Sequence, residues 1–136
     1  MSTHLPGEPT RLGLADTSLF IAQEQHRPMA DRPPERIAVS VVTIGELRLG
    51  VLAAEDGFVR AQRLRTLSRA EALDPLPVDG EVADAWARLS LSLRVADRRM
   101  PLNDSWIAAT AMAHRIPVVS QDNDYDDVPG VMVLRV

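Results

Sequence analysis

Short apolar runs alternate with segments of helical periodicity along most of this chain. One run, at residues 37–42, is continuous and β-branched, which is typical of a strand buried on both faces. A weaker run at residues 73–76 is a candidate for a further short strand. The runs that predict the main strands cover residues 12–15, 37–42, 116–120 and 131–134.

Between these runs, apolar residues recur three or four positions apart and predict helices. Thr43 is the predicted cap of a helix over residues 44–54, and Phe58, Ala61, Leu64 and Leu67 are predicted to share one face of the next. The predicted helices cover residues 18–26, 44–54, 56–70 and 102–114, with a long one that is capped by Asp79 and carries Val82, Trp86, Leu89 and Leu93 on one face. This alternation indicates an α/β fold, with a parallel sheet flanked by helices.

The first residues differ in composition from the remainder of the chain. Residues 1–11 are rich in proline, glycine and polar side chains and are predicted to be a flexible N-terminal extension. Residues 12–136 have the length of one domain with a substantial core. No apolar stretch approaches the 18 residues of a membrane span, and the N-terminus lacks a signal-peptide pattern, so we expect a cytoplasmic protein without a membrane partner.

Two residue types that are absent from the chain limit the reactions and the metal sites that it can support. The chain has no cysteine, and all 15 basic residues are arginine, so there is neither a thiolate nor a lysine ammonium. Thiolate metal sites, Schiff-base chemistry and P-loop nucleotide binding are therefore excluded. The serine-hydrolase motifs G-x-S-x-G and S-x-x-K are also absent. A formal net charge of −4 argues against loose, charge-driven binding to nucleic acid, but it is compatible with an enzyme whose site is built from carboxylates.

Five acidic residues follow predicted strands or begin predicted helices. Asp16 directly follows the first strand, and Asp122 and Asp124 follow the 116–120 strand. Glu46 lies in the first turn of the helix after the second strand, and Asp104 lies in the first turn of the 102–114 helix. Ligands of open parallel sheets bind beyond the carboxyl ends of the strands. We therefore expect these acids to converge at one edge of the sheet.

Converging carboxylates repel one another unless a cation joins them. Mg²⁺ or Mn²⁺ prefers oxygen ligands, and the three histidines (His4, His26 and His114) have no metal-binding spacing. Such a site suits phosphodiester hydrolysis, because the metal generates hydroxide and stabilises the leaving oxygen.

Each acid also has a simpler explanation. Thr43 and Glu46 have the spacing of a capping box, Asp16 could cap the first helix, and Asp104 could stabilise a helix N-terminus by its charge. Residues 122–127 could be a solvated turn. Only the shared placement at one sheet edge favours the functional interpretation.

Four segments, in this order, resemble the PIN-domain family and most closely its VapC toxins. They are LADTS (14–18), SVVTIGELRLG (40–50), LNDSWIAATA (102–111) and VVSQDNDY (118–125). The resemblance implies a three-layer α/β/α sandwich and a Mg²⁺- or Mn²⁺-dependent endoribonuclease that cleaves structured RNA (tRNA or rRNA) and inhibits translation. It also implies a cognate VapB-type antitoxin, a homodimer and a higher toxin–antitoxin complex.

The resemblance also assigns roles to individual residues. The catalytic and metal-binding acids it implies are Asp16, Glu46, Asp104, Asp122 and Asp124. The polar residues that it places around them are Thr17, Asn103 and Ser120. Ser120 and Tyr125 stand where the family more commonly has Thr and Phe, and both are conservative changes.

Four arginines of the 56–70 helix, and two tryptophans, have two interpretations each. The arginines either contact RNA phosphates or an acidic partner, or form an ordinary solvated face; they are Arg60, Arg63, Arg65 and Arg69. Trp86 is expected in the core rather than as a platform for base stacking, and Trp106 is expected to be in the core or at a dimer contact. The rival to the nuclease hypothesis is a catalytically weak PIN-fold subunit of a DNA-binding, autoregulatory complex.

Overall fold

The computed structural model describes residues 11–136, in which strands and helices form a single α/β unit. Its elements, in chain order, are β1 (Leu12–Ala15), α1 (Thr17–Glu24), β2 (Arg36–Ala38), α2 (Val41–Ala53), α3 (Gly57–Glu71), α4 (Gly80–Val95), α5 (Leu102–His114), β3 (Val118–Ser120) and β4 (Val133–Arg135). The predicted extension covers residues 1–11, of which 1–10 lie outside the described residues. No helix within residues 11–136 combines the length and apolarity needed to cross a bilayer.

The four strands form one parallel sheet in the order β2-β1-β3-β4. In its centre, Leu14 pairs with Ala38 of β2 and with Val118 of β3, while Val119 pairs with Leu134 of β4. Because every pairing is parallel, all four carboxyl ends lie at the same edge. The predicted α/β fold is confirmed.

Alternate residues of the central strands face two separate cores. Leu14 and Val118 are buried among residues of α4 and α5, whereas Ala15 and Val119 are buried among residues of α1, α2 and α3. This is the two-residue alternation of a strand covered on both sides. The molecule is therefore the three-layer α/β/α sandwich that the family resemblance implies.

The second predicted strand is shorter than expected and is not buried on both faces. β2 ends at Ala38 and lies at the edge of the sheet, with Arg36 exposed. The helix that follows begins at Val41, because the Ser40 hydroxyl accepts a hydrogen bond from the Val42 N–H at 3.0 Å. The prediction that Thr43 is the cap is therefore wrong, and Thr43 is buried within α2.

Two further predictions need correction. The candidate strand at residues 73–76 is reduced to one parallel bridge between Leu76 and Ser40. On α3, Phe58 and Leu64 are exposed, and the buried side chains are Thr66, Leu67 and Ala70. Ala61 is exposed as well, so the predicted apolar face of this helix is wrong at three of its four positions.

The α4–α5 layer follows the prediction closely. Asp79 caps α4 by accepting a hydrogen bond from the Val82 N–H at 3.0 Å. Trp86 and Trp106 are partly buried and stack with ring centroids 4.5 Å apart and an interplanar angle of 8°. This stacking accounts for both tryptophans as part of the packing between α4 and α5.

Candidate active site

Asp16 is held at the carboxyl end of β1 by three donors. It is 2% exposed, and Oδ2 caps α1 by accepting from the Ser18 N–H at 3.4 Å. The same oxygen accepts from the Ser120 hydroxyl at 3.1 Å, and Oδ1 accepts from the Tyr125 hydroxyl at 2.8 Å. Asp16 is therefore a helix cap and also the buried centre of a polar network.

Ser120 joins the ends of β1 and β3. Its side chain is fully buried, donates to Asp16 and accepts from the Asp122 N–H at 3.1 Å. A further contact, of 3.3 Å, joins its Oγ to that of Ser18. Ser120 therefore lies among the acids, its role toward a metal or ligand stays a prediction, and Ser18 is a member of this network that the sequence did not indicate.

Four aspartates influence one another electrostatically at this edge. The pKa of Asp104 is raised from 3.8 to about 8 by burial, by hydrogen bonding with the Asp124 side chain, and by the charges of Asp16, Asp124 and Asp122. Burial and the charges of Asp16 and Asp124 also raise the pKa of Asp122, against the lowering effect of the Asp124 N–H and the Ser120 hydroxyl. Residues separated by more than 100 positions are thereby brought into one acidic group.

Glu46 is connected to this group through Thr17. The Thr17 hydroxyl lies 2.7 Å from Glu46 Oε1, to which it donates, and 3.0 Å from the buried Thr43 hydroxyl. Since α2 begins at Val41, Glu46 lies in its second turn and is not part of a capping box. The alternative explanation of Glu46 as a cap is therefore wrong.

Asn103 and Asp104 occupy the first turn of α5, as predicted. Pro101 precedes the helix and provides no side-chain cap. Asn103 is exposed, and its side chain has no hydrogen-bond partner in the described part of the chain. Its predicted role stays a prediction.

The acidic group offers the oxygen ligands that a hard cation prefers, although its side chains are not arranged as a complete metal site. Within residues 11–136, no three acidic or histidine side chains are close enough together to hold a metal ion. The donors are nevertheless all carboxylate oxygens, which Mg²⁺ and Mn²⁺ prefer. A cation would also replace the proton that Asp104 retains among its neighbours. These residues fit Mg²⁺ or Mn²⁺ if the ion draws them together.

Tyr125 is the residue whose importance the sequence did not reveal. It is fully buried, and its burial and the nearby Asp16 charge raise its pKa above the ordinary value, so the hydroxyl remains a donor. The only available signal is that this is the single tyrosine of the chain and lies in the acidic turn. Sequence reasoning treats Tyr in place of Phe as conservative, yet Phe has no hydroxyl to donate.

The four arginines of α3 are mostly engaged in contacts within the protein. Arg60 donates to the Ala54 carbonyl and Arg63 to the Gly50 carbonyl (2.7 Å for Arg63), where α2 ends and its carbonyl groups lack helical partners. Arg69 donates to Thr66, and Arg65 is exposed without a side-chain hydrogen bond among the described residues. Contacts with RNA or a partner stay a prediction for these residues.

Comparison with known proteins gives consistent results. The family model described as "PIN domain" matches residues 14–131. The chain is 50% identical over 131 residues to "Ribonuclease VapC4" of Mycobacterium tuberculosis (strain ATCC 25618 / H37Rv), covering 93% of this chain and 98% of that protein. It is 45% identical over 128 residues to "Ribonuclease VapC5" of the same strain, covering 91% and 95%. Among solved structures, a chain of VapBC-5 from Mycobacterium tuberculosis, described as a member of the VapBC family of toxin–antitoxin systems, superposes with a TM-score of 0.82 at 44% identity, covering 94% and 100%.

Proposed function

Since this chain belongs to the PIN domain family, we propose that it is the ribonuclease toxin of a VapBC-type toxin–antitoxin pair. The proposal is that it hydrolyses phosphodiester bonds of structured RNA, tRNA or rRNA, in a reaction that requires Mg²⁺ or Mn²⁺, and thereby inhibits translation. The ribonuclease function and the pairing with an antitoxin rest on the named relatives at 44–50% identity. The metal and the class of RNA rest on the family resemblance and on the acidic group.

The observation that carries the metal-dependent reaction is the convergence of Asp16, Asp104, Asp122 and Asp124 at the carboxyl edge of the sheet. Asp16 is held in a fixed orientation by Ser120 and Tyr125, so one carboxylate is positioned before any cation arrives. Asp104, Asp122 and Asp124 supply further oxygens, and Glu46 is held nearby by Thr17. A bound Mg²⁺ or Mn²⁺ supplies an activated water and stabilises charge on the phosphoryl and leaving oxygens.

A VapB-type antitoxin is the proposed partner. The solved structure most informative here is that of VapBC-5, in which the matching chain belongs to a toxin–antitoxin system and is covered over its full length. By the family resemblance, we also propose that the chain forms a homodimer within a larger toxin–antitoxin complex.

The experiment that tests the nuclease is cleavage of total cellular RNA by partner-free protein, with Mg²⁺, with Mn²⁺ and with chelator. Asp104→Asn keeps the side-chain shape but removes a carboxylate oxygen, and we expect it to abolish cleavage. Asp84→Asn is the matched control, because Asp84 is an exposed surface acid paired with Arg88. Discrete, metal-dependent fragments from the wild type and from Asp84→Asn, but not from Asp104→Asn, are expected.

Two other outcomes would count against the proposal. Equal cleavage by all three proteins would identify a contaminating nuclease. If the antitoxin-free wild type cleaves no RNA with either metal, the result would favour the rival hypothesis, in which the chain is a binding subunit of a DNA-binding complex.

A further inference from the structure

A cavity of about 390 Å³ lies between the end of α4 and the beginning of α5, outside the acidic group. Its lining combines arginines from the last turn of α4 and from the segment that joins the two helices with apolar side chains from both helices. The residues that define it are Trp86, Leu93, Arg94, Arg98, Arg99 and Leu102. One acidic side chain, Asp97, also lines it, so the arginines dominate its charge.

The three arginines of the cavity are unpaired within residues 11–136. Arg94, Arg98 and Arg99 make no side-chain hydrogen bond or ion pair with any residue that the structure describes. This distinguishes them from Arg60 and Arg63 on α3, which donate to backbone carbonyls at the end of α2. A guanidinium group presents five donors in a planar fork that matches phosphate oxygens. The cavity therefore offers unused phosphate-binding groups.

The turn between the helices determines where these arginines are presented. Asp97 adopts a left-handed conformation, with φ of 51°, and reverses the chain directly after α4. The Arg98 N–H donates to the Leu93 carbonyl at 2.8 Å, which ties the turn back to the helix. The backbone between Arg94 and Arg99 is thus hydrogen-bonded rather than extended, and it holds the three side chains around one cavity.

The cavity shares the first turn of α5 with the acidic group. Leu102 and Ser105 line the cavity, while Asp104 interacts with Asp124 and Asp122. A helix with its side chains is about 10–12 Å across, so the two features lie on either side of a single helical turn. An RNA strand held at Asp104 would have neighbouring phosphates within reach of the arginines.

RNA binding at this edge requires a local source of positive charge. The four aspartates repel a phosphate backbone, and the chain as a whole carries a formal net charge of −4. We propose that the cavity between α4 and α5 binds a phosphate of the RNA substrate next to the cleaved bond, through Arg94, Arg98 and Arg99. This inference rests on the proposed ribonuclease function and adds the group that positions the substrate.

Binding should be measured in the Asp104→Asn background, where the proposed nuclease cannot cleave its substrate. The probe is a fluorescein-labelled oligouridylate of about 12 nucleotides in Mg²⁺, followed by fluorescence anisotropy over a range of salt concentrations. The test variant adds Arg94→Gln, Arg98→Gln and Arg99→Gln. We expect the Kd to rise about tenfold or more, and the slope of log K against log salt to become shallower by about 1–2.

The matched control adds Arg32→Gln, Arg36→Gln and Arg115→Gln, with the same change in charge. These arginines are exposed, and their side chains make no hydrogen bond or ion pair within the described chain. Arg36 and Arg115 lie at or near the amino ends of β2 and β3, the edge opposite the acids. We expect this control to change the Kd by less than about twofold, because long-range charge is screened by salt.

Three results would overturn the inference. The cavity arginines could have no effect, the two triple variants could weaken binding equally, or a polyglutamate peptide could compete better than RNA at equal charge, which would identify a protein-binding site. A melting curve checks that each variant is folded. If the triple variant is destabilised, the double variant Arg94→Gln with Arg99→Gln, at two exposed positions, replaces it in the binding measurement. If the wild type cleaves RNA, and the three cavity substitutions change neither binding in the Asp104→Asn background nor cleavage when made in the wild type, only this inference fails. If the wild type neither binds nor cleaves, the proposed function fails with it.

Discussion

At the scale of single residues, the Tyr125 hydroxyl orients the acid at the centre of the site. It donates to Oδ1 of Asp16, while Ser120 and the Ser18 N–H both donate to Oδ2. Each oxygen of this buried carboxylate is therefore directed by its partners. Tyr125 is then the group that determines how Oδ1 faces an incoming cation.

Replacing Tyr125 by Phe tests this role. The substitution keeps the buried ring but leaves Oδ1 of Asp16 without its donor, so we expect the free energy of unfolding to fall by about 1–3 kcal/mol. Binding of Mn²⁺, measured by calorimetry on the folded protein, should weaken about tenfold. Ser18→Ala is the control, because the Ser18 hydroxyl contacts Ser120 rather than the carboxylate. Unchanged Mn²⁺ affinity in Tyr125→Phe would show that Oδ1 needs no positioning.

At the scale of elements, the segment around Ser40 explains where sequence reasoning fails. Residues 37–42 have the β-branched continuity of one strand, but they contain the end of an edge strand and the start of α2. The boundary depends on one hydroxyl, since Ser40 accepts from the Val42 N–H. Both Ser40 and Thr43 are residue types that cap helices, and periodicity alone does not separate them.

The helices with unambiguous ends were predictable. α5 matches its predicted bounds, and Asp79 caps α4 as expected. The failure on α3 has a different cause, because its exposed apolar residues Phe58 and Leu64 have the same spacing as buried ones. Periodicity identifies a helix, but packing against α1 and α2 decides which of its residues are buried.

Gly13 of β1 allows a test of how closely these elements pack. A Cβ added there would lie 2.5 Å from Val119 Cγ2 and 3.1 Å from Pro34 Cγ. Val119 belongs to β3, which pairs directly with β1, so it cannot move away without disturbing the sheet. We expect Gly13→Ala to lower the free energy of unfolding by about 1–3 kcal/mol, measured by urea denaturation.

Gly45 provides the matched control on α2. A Cβ added at Gly45 meets no heavy atom within 4 Å, and the position is exposed inside a helix. Gly45→Ala should therefore stabilise the protein by about 0.5–1 kcal/mol. If both substitutions changed stability in the same direction, the close approach at Gly13 would not determine the result.

At the scale of the whole molecule, the sheet topology assembles the acidic group. Asp16 and Asp122 follow β1 and β3, which are adjacent and parallel, and α5 brings Asp104 to the same edge. This convergence could be predicted, because it follows from the parallel order of strands and helices. The network that orients Asp16 could not, because it depends on side-chain contacts across more than 100 residues.

The acidic group should also make the stability of the whole chain depend on pH and metal. In the folded, metal-free protein the pKa of Asp104 is about 8, compared with 3.8 for the ordinary residue. The folded state therefore binds more protons than the unfolded state between about pH 4 and pH 8, and the free energy of unfolding falls as pH rises through this window. Because Asp104 is only half-buried, solvent screening reduces this loss to about 1–2 kcal/mol. Chemical denaturation of the wild type and of Asp104→Asn in chelator, at several pH values, measures this loss. The free energy of unfolding of the variant should change less with pH than that of the wild type.

Mg²⁺ or Mn²⁺ should reverse this loss, since the cation binds the carboxylates after their protons leave. At a metal concentration of 100 times the Kd, the stabilisation is about 2.7 kcal/mol, enough to raise the melting temperature by several degrees. We expect the metal-induced rise in melting temperature to be larger at pH 8 than at pH 6, because at pH 6 the proton on Asp104 competes with the metal. Asp84→Asn should respond like the wild type, because Asp84 is an exposed residue of α4 that pairs with Arg88 and is not part of the acidic group. A metal-induced shift of equal size in Asp104→Asn, or one that does not change with pH, would exclude Asp104 as a metal-binding residue.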